Sequence, residues 1–107
     1  MAGITTHVLD TANGRPASGV GVTLAILHDN EWRELAHGAT DNEGRLPTLT
    51  EGIALRRGTY RLTFATGEYN QGFFPEVSIV FRVDDPAQHY HVPLLLSPFG
   101  YSTYRGS

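Results

Sequence analysis

The sequence predicts an all-β sandwich on three observations. Short runs rich in β-branched and aromatic residues recur at regular spacing and give seven or eight candidate strands. Twelve glycines are scattered between them at turn-like intervals. No stretch carries a long helical repeat. Together these describe two packed sheets of about the immunoglobulin size class. At 107 residues, the chain is expected to form one domain, residues 1–107, with a single core.

Ile4 to Thr11 reads as the first strand, with Thr5, His7 and Leu9 on one face and Ile4, Thr6 and Val8 on the other. Asn13-Gly14-Arg15-Pro16 is a turn signal. Val20 to Leu27 alternates cleanly, placing Val20, Val22, Leu24 and Ile26 together. His28 to Glu31 is a polar hairpin connection, and Trp32 to Thr40 returns as a more polar, half-exposed partner.

Thr40 to Arg45 is a tight turn in which Gly44 suits a positive φ, so Arg45 emerges in a defined place. Leu46 to Leu55 is ambiguous, broken by Pro47 and Gly52. Gly58 to Thr66 is a strand with Tyr60, Leu62 and Phe64 on one face. Thr66 to Gly72 has no strand pattern and suits one or two helical turns. Glu76 to Val83 places Val77, Ile79, Phe81 and Val83 together. His89 to Leu96 and Tyr101 to Arg105 form a final hairpin, with Pro98 and Gly100 placed as a type I turn favours. Pro93 cannot donate to a ladder, which predicts an edge position or a local break.

Composition narrows the function classes. The chain has no cysteine, which excludes disulfides, thiolate nucleophiles and cysteine-held metals. The net charge of −3 is mild and interspersed, and no basic stripe suggests nucleic acid. No run approaches membrane-spanning length and no signal peptide is visible, so the expected location is cytoplasmic.

Five histidines are the main chemical resource: His7, His28, His37, His89 and His91. His28 and His37 sit in the polar hairpin and are most simply solvated. His89 and His91 share a strand face, so they suit a zinc site with His7 as third ligand. Without a metal, the same residues suit proton transfer. His7, Arg45, His91, Tyr104 and Ser107 then make a hydrolase set for a small polar substrate, with Arg45 stabilising developing negative charge. A serine triad is poorly supported, because Ser107 has no nucleophile-elbow pattern and no acid is placed to orient a histidine. The final stretch, Tyr101 to Ser107, carries two tyrosines and an arginine where small solvated residues are usual. It is expected to dock as a strand beside a histidine of the preceding one.

These residues also resemble a known family. Thr6-His7-Val8-Leu9-Asp10 with Gly14-Arg15-Pro16-Ala17, the turn Thr40 to Arg45, the run His89 to Pro98 and the ending Gly100 to Ser107 are similar to the motifs of the 5-hydroxyisourate hydrolases, or transthyretin-related proteins. The resemblance covers essentially the whole chain. It implies a transthyretin-like sandwich of two four-stranded sheets with one short helix, expected in Glu68 to Gly72. It implies hydrolysis of 5-hydroxyisourate to a ureidoimidazoline on the way from urate to allantoin. It implies a homotetramer, a dimer of dimers, with active sites between dimers, and no metal or cofactor. Carried over residue by residue, it makes His7, Arg45 and His91 catalytic and gives substrate contacts to His7, Arg45, Tyr104, Arg105, Gly106 and Ser107. Which histidine is the base stays open. The alternative on the same fold is a transthyretin-like binding protein, and this polar set speaks against an iodinated aromatic ligand.

Overall fold

The computed structural model describes residues 3–107. Eight strands and one helical turn follow in order: β1 (Gly3–Asp10), β2 (Arg15–Pro16), β3 (Gly21–His28), β4 (Glu31–Ala39), β5 (Gly58–Phe64), α1 (Thr66–Tyr69), β6 (Val77–Val83), β7 (His89–Ser97) and β8 (Gly100–Thr103). They form two four-stranded sheets, ordered β2-β1-β7-β8 and β4-β3-β5-β6. This is the all-β, two-sheet architecture the sequence predicts.

The alternating apolar residues meet between the sheets. Ile4, Val8, Val92 and Leu94 on one sheet are buried against Val22, Leu24, Ile26, Tyr60, Leu62 and Phe64 on the other. Each residue between two of these points the opposite way, so burying one face of β1 and β7 fixes what the other face presents to solvent. Leu46 and Leu49 close the core from a segment that forms no strand.

Three sequence expectations are corrected, and a fourth, for Pro93, is met as a local break rather than an edge position. Arg15–Pro16 is more than a turn: it pairs with Leu9 and Asp10 as a two-residue edge strand. The helical turn begins at Thr66 and ends at Tyr69, before the expected Glu68 to Gly72, because Asn70 is already extended at φ −142°. β8 stops at Thr103, since its ladder to β7 runs only from Ser97↔Gly100 to Leu94↔Thr103. Finally, Pro93 lies in an interior strand between β1 and β8. It is tolerated because the β8 ladder has already ended there, and the Thr103 hydroxyl donates to the Pro93 carbonyl at 2.7 Å.

β1 and β7 pair in parallel, with Gly3 beside His89, Thr5 beside His91 and His7 beside Pro93. Their pairing joins the two ends of the sequence in the middle of one sheet and positions everything that follows.

Candidate active site

Inward burial of Ile4, Thr6 and Val8 leaves Thr5 and His7 on the outer face of the sheet. The same parity on β7 buries Tyr90 and Val92 and presents His89 and His91 outward. The parallel register then brings Thr5 directly beside His91.

Arg45 arrives from the turn after β4. Asp41 shapes that turn: its Oδ1 accepts the amides of Glu43 at 2.9 Å and Arg45 at 3.0 Å. Those two bonds hold the Asp41 carboxyl below its ordinary pKa. Gly44 has φ +76°, and a Cβ there would stand 2.4 Å from the Val8 carbonyl oxygen. Only glycine lets the turn press this closely on β1. The Val8 amide donates to the Gly44 carbonyl at 2.8 Å, and Arg45 forms an antiparallel bridge with His7.

The tail closes the other side. Beyond Thr103, the chain returns to β7 through a bridge between Gly106 and His91, with the Gly106 amide donating to the His91 carbonyl at 2.8 Å. Thr5, Thr6, Arg45, Pro47, His89, His91 and Ser107 line an open basin of about 270 Å³.

Hydrogen bonding constrains the rings. His7 Nε2 lies 2.8 Å from the Glu43 carbonyl oxygen. A carbonyl only accepts, so Nε2 carries the proton and Nδ1 of neutral His7 keeps its lone pair. The Thr5 hydroxyl lies 2.7 Å from His89 Nε2 and 2.8 Å from His91 Nδ1. Burial lowers the His91 pKa, and the nearby Arg45, His89 and His7 charges lower it further. His91 is therefore neutral at neutral pH and able to accept a proton.

The fold thus brings Arg45, His91 and Ser107 to the basin, with His7 bridged to Arg45 and Gly106 bridged to His91 just outside its lining. It places Tyr104 and Arg105 elsewhere. Both line a separate groove of about 260 Å³ with Ile79, Phe81, Tyr90 and Val92. The Arg105 guanidinium stacks 4.5 Å above the Tyr90 ring and donates to Gln88 Oε1 at 3.2 Å. Within one chain, the expected tetrapeptide wall is split between two surfaces. His28 and His37 pair locally with Asp29 and Glu34, apart from the basin.

Among the described residues, no group of three histidines or acids is spaced to hold a metal ion. The Thr5 hydroxyl engages one nitrogen of each β7 ring and leaves the other nitrogen of each open. Residue reading missed Thr5 as a site residue. Its place on the His7 face was visible, but its contact with two histidines depends on the β1–β7 register.

Comparison with known proteins adds a separate line of observation. Residues 4–106 match the model of the HIUase/Transthyretin family. A 5-hydroxyisourate hydrolase of Salmonella dublin is 46% identical over 109 residues, spanning 97% of this chain and 80% of the relative. The solved 5-hydroxyisourate hydrolase of Klebsiella pneumoniae superposes with a TM-score of 0.83 at 37% identity, covering 97% of this chain and 98% of that one. Transthyretin from Sparus aurata superposes with a TM-score of 0.91 at 30% identity, covering 99% and 97%. Backbone likeness therefore does not separate the hydrolases from transthyretin, and the side chains of the basin must.

Proposed function

The chain belongs to the HIUase/Transthyretin family, and from that premise we propose that it is a 5-hydroxyisourate hydrolase whose outer-face basin opens the substrate's cyclic amide. The observation that carries this reading is the convergence of Arg45, His91 and Ser107 on one polar basin, with His7 bridged to Arg45 beside it. A hormone-carrying groove has no need of a neutral, partly buried histidine beside an arginine.

The residues divide the chemistry as follows. Neutral His91 takes a proton from water as the water oxygen bonds to the ring carbonyl carbon. Arg45 holds the resulting oxyanion. The carbon–nitrogen bond then breaks, its electron pair goes to nitrogen, and the His91 imidazolium returns the proton there. The carbonyl carbon leaves as a carboxylic acid. His7 uses its free Nδ1 to position the water. Ser107 walls the pocket and the Gly106 bridge holds the tail beside His91, while Tyr104 and Arg105, in their separate groove, reach a basin only across a contact between subunits. The mechanism asks for no metal and no cofactor.

We also propose that the chain acts as one domain, residues 1–107, in a cytoplasmic homotetramer, a dimer of dimers with basins at the contact between dimers. Support comes from the open basin, the outer position of β6 and β8, and the exposure of Val80, Phe99 and Tyr104. Among the described residues, no helix is long and apolar enough to cross a membrane.

The test of activity is direct. Freshly generated 5-hydroxyisourate is followed by its absorbance with and without the protein. Decay no faster than the spontaneous rate overturns the assignment. Light scattering across a dilution series tests the tetramer, and a monomer retaining full activity removes the intersubunit site.

A further inference from the structure

Thr5 is the one side chain of the basin that touches two histidines at once, at 2.7 Å from His89 Nε2 and 2.8 Å from His91 Nδ1. A hydroxyl has one proton and two lone pairs, and a neutral imidazole has one N–H and one bare nitrogen. Those counts restrict the pattern. If the Thr5 proton goes to His89 Nε2, the oxygen is left to accept from His91 Nδ1–H. His91 Nε2 is then bare and can take a proton from water. If the Thr5 proton goes instead to His91 Nδ1, Nε2 must carry hydrogen and His91 is no base.

The hydrolase reading selects the first pattern, because only that one leaves His91 Nε2 bare. His89 is exposed while His91 is partly buried, so water can satisfy the other nitrogen of His89. Both rings are held on one strand face with their centroids 6.4 Å apart. Thr5 is anchored between them by the ladder that pairs it with His91. The charged and titratable groups around His91 are Arg45 from the turn, His7 from β1 and His89 from its own strand. None of them is a carboxylate that would fix the ring, as an aspartate does in serine proteases.

We propose that Thr5 and His89 are positioning residues that hold His91 as its Nδ1–H tautomer, with Nε2 free toward the basin. Resting on the hydrolase reading, this names the group that orients the base in a site without an orienting acid. The chain of donation runs from His91 Nδ1–H to the Thr5 oxygen, and from the Thr5 hydroxyl to His89 Nε2. When His91 becomes the imidazolium during the reaction, its Nδ1–H keeps the same acceptor and nothing has to rotate.

Ring-nitrogen NMR on the free protein, combined with kinetics on Thr5→Val, Thr5→Ser and His89→Leu, tests this. The expected wild-type spectrum shows His91 protonated at Nδ1. Thr5→Val moves that proton to Nε2 and lowers kcat about tenfold or more, with KM within about twofold of wild type. Thr5→Ser keeps the hydroxyl and restores both spectrum and kcat, which a loss of packing does not do. His89→Leu removes the acceptor and gives an intermediate loss. A wild-type His91 protonated at Nε2, or a Thr5→Val enzyme with unchanged kcat, overturns the proposal and leaves the hydrolase assignment standing. A wild-type protein that does not hydrolyse the substrate overturns both.

Discussion

Gly106 packs closely on the ring of His91: a Cβ at Gly106 would stand 2.5 Å from His91 Cδ2 and 3.2 Å from Cγ. The glycine is the contact surface that sets where the ring can lie. Gly106→Ala forces either the tail away from β7 or the ring out of place. Misplacement by about 1 Å costs on the order of 100-fold in a positioned reaction. We expect kcat/KM to fall by that order while the thermal midpoint changes little, because β8 ends at Thr103 and the core lies elsewhere. Steady-state kinetics and thermal unfolding on one preparation check both halves. A fully active Gly106→Ala enzyme removes the contact from the mechanism.

Gly44→Ala is expected to behave differently. Its Cβ would meet the Val8 backbone at 2.4 Å, with φ at +76°. A strained backbone of this kind costs about 1–3 kcal/mol. Denaturant unfolding should show that loss, and kcat/KM should fall with it because Arg45 follows directly. Unchanged stability counts against the tight turn.

Alanine at His7, Arg45 or His91 should each lower kcat/KM by about 100-fold or more, as expected for lost proton transfer or oxyanion binding. Wild-type kinetics in any one variant excludes that residue.

The pH profile follows from the lowered His91 pKa. With His91 as the proposed neutral base, kcat/KM should hold as pH drops through about 6.5, the ordinary histidine value, and fall only below it. Arg45→Ala removes one of the positive charges, so the His91 pKa should rise, and NMR titration reads it directly. The sign for stability is the same. The unfolded chain binds this proton more readily than the folded one, so His91 costs stability as pH falls below its unfolded value. A midpoint above 6.5 in the wild type contradicts the site's electrostatics.

Asp10 is 4% exposed and tied to Asn13 and to the Tyr69 hydroxyl, 2.7 Å from Oδ2. The hydrogen bonds from Asn13 and Tyr69 hold its carboxyl below its ordinary pKa. Its stabilisation is full above the unfolded value of about 3.9 and is lost as pH falls through the lower folded one. Asp10→Ala should cost about 1 kcal/mol at neutral pH by removing the acceptor of three part-buried hydrogen bonds. Tyr69→Phe should cost less, because Asn13 still serves the carboxylate. Urea titrations at neutral and acid pH distinguish them.

The sheets were legible because Val20 to Ile26 and Tyr60 to Phe64 alternate with the period of a half-buried strand. Arg45 was legible because Gly44 marks its turn. Pairing across the chain was not. Arg15–Pro16 becomes a strand only through Leu9 and Asp10, and Pro93 sits inside a sheet only because β8 is short. Tyr104 and Arg105 adjoin Gly106 in sequence, yet they line another groove, because the tail leaves the ladder at Thr103 before returning to His91. Local pattern carries no information about such departures.

The parallel pairing of β1 with β7 also has a kinetic meaning. Thr5 and His91 are separated by 86 positions, and their hydrogen bond closes a loop that includes most of the chain. Loop closure of that size is entropically costly before any contact rewards it, and such topologies fold slowly, over about milliseconds to seconds. During synthesis, β1 emerges early and waits with an unpaired edge until residues 89–97 follow. The basin therefore cannot exist before β7 is made, and a nascent chain that has made only its first six strands holds His7 and Arg45 without yet having His91 beside them.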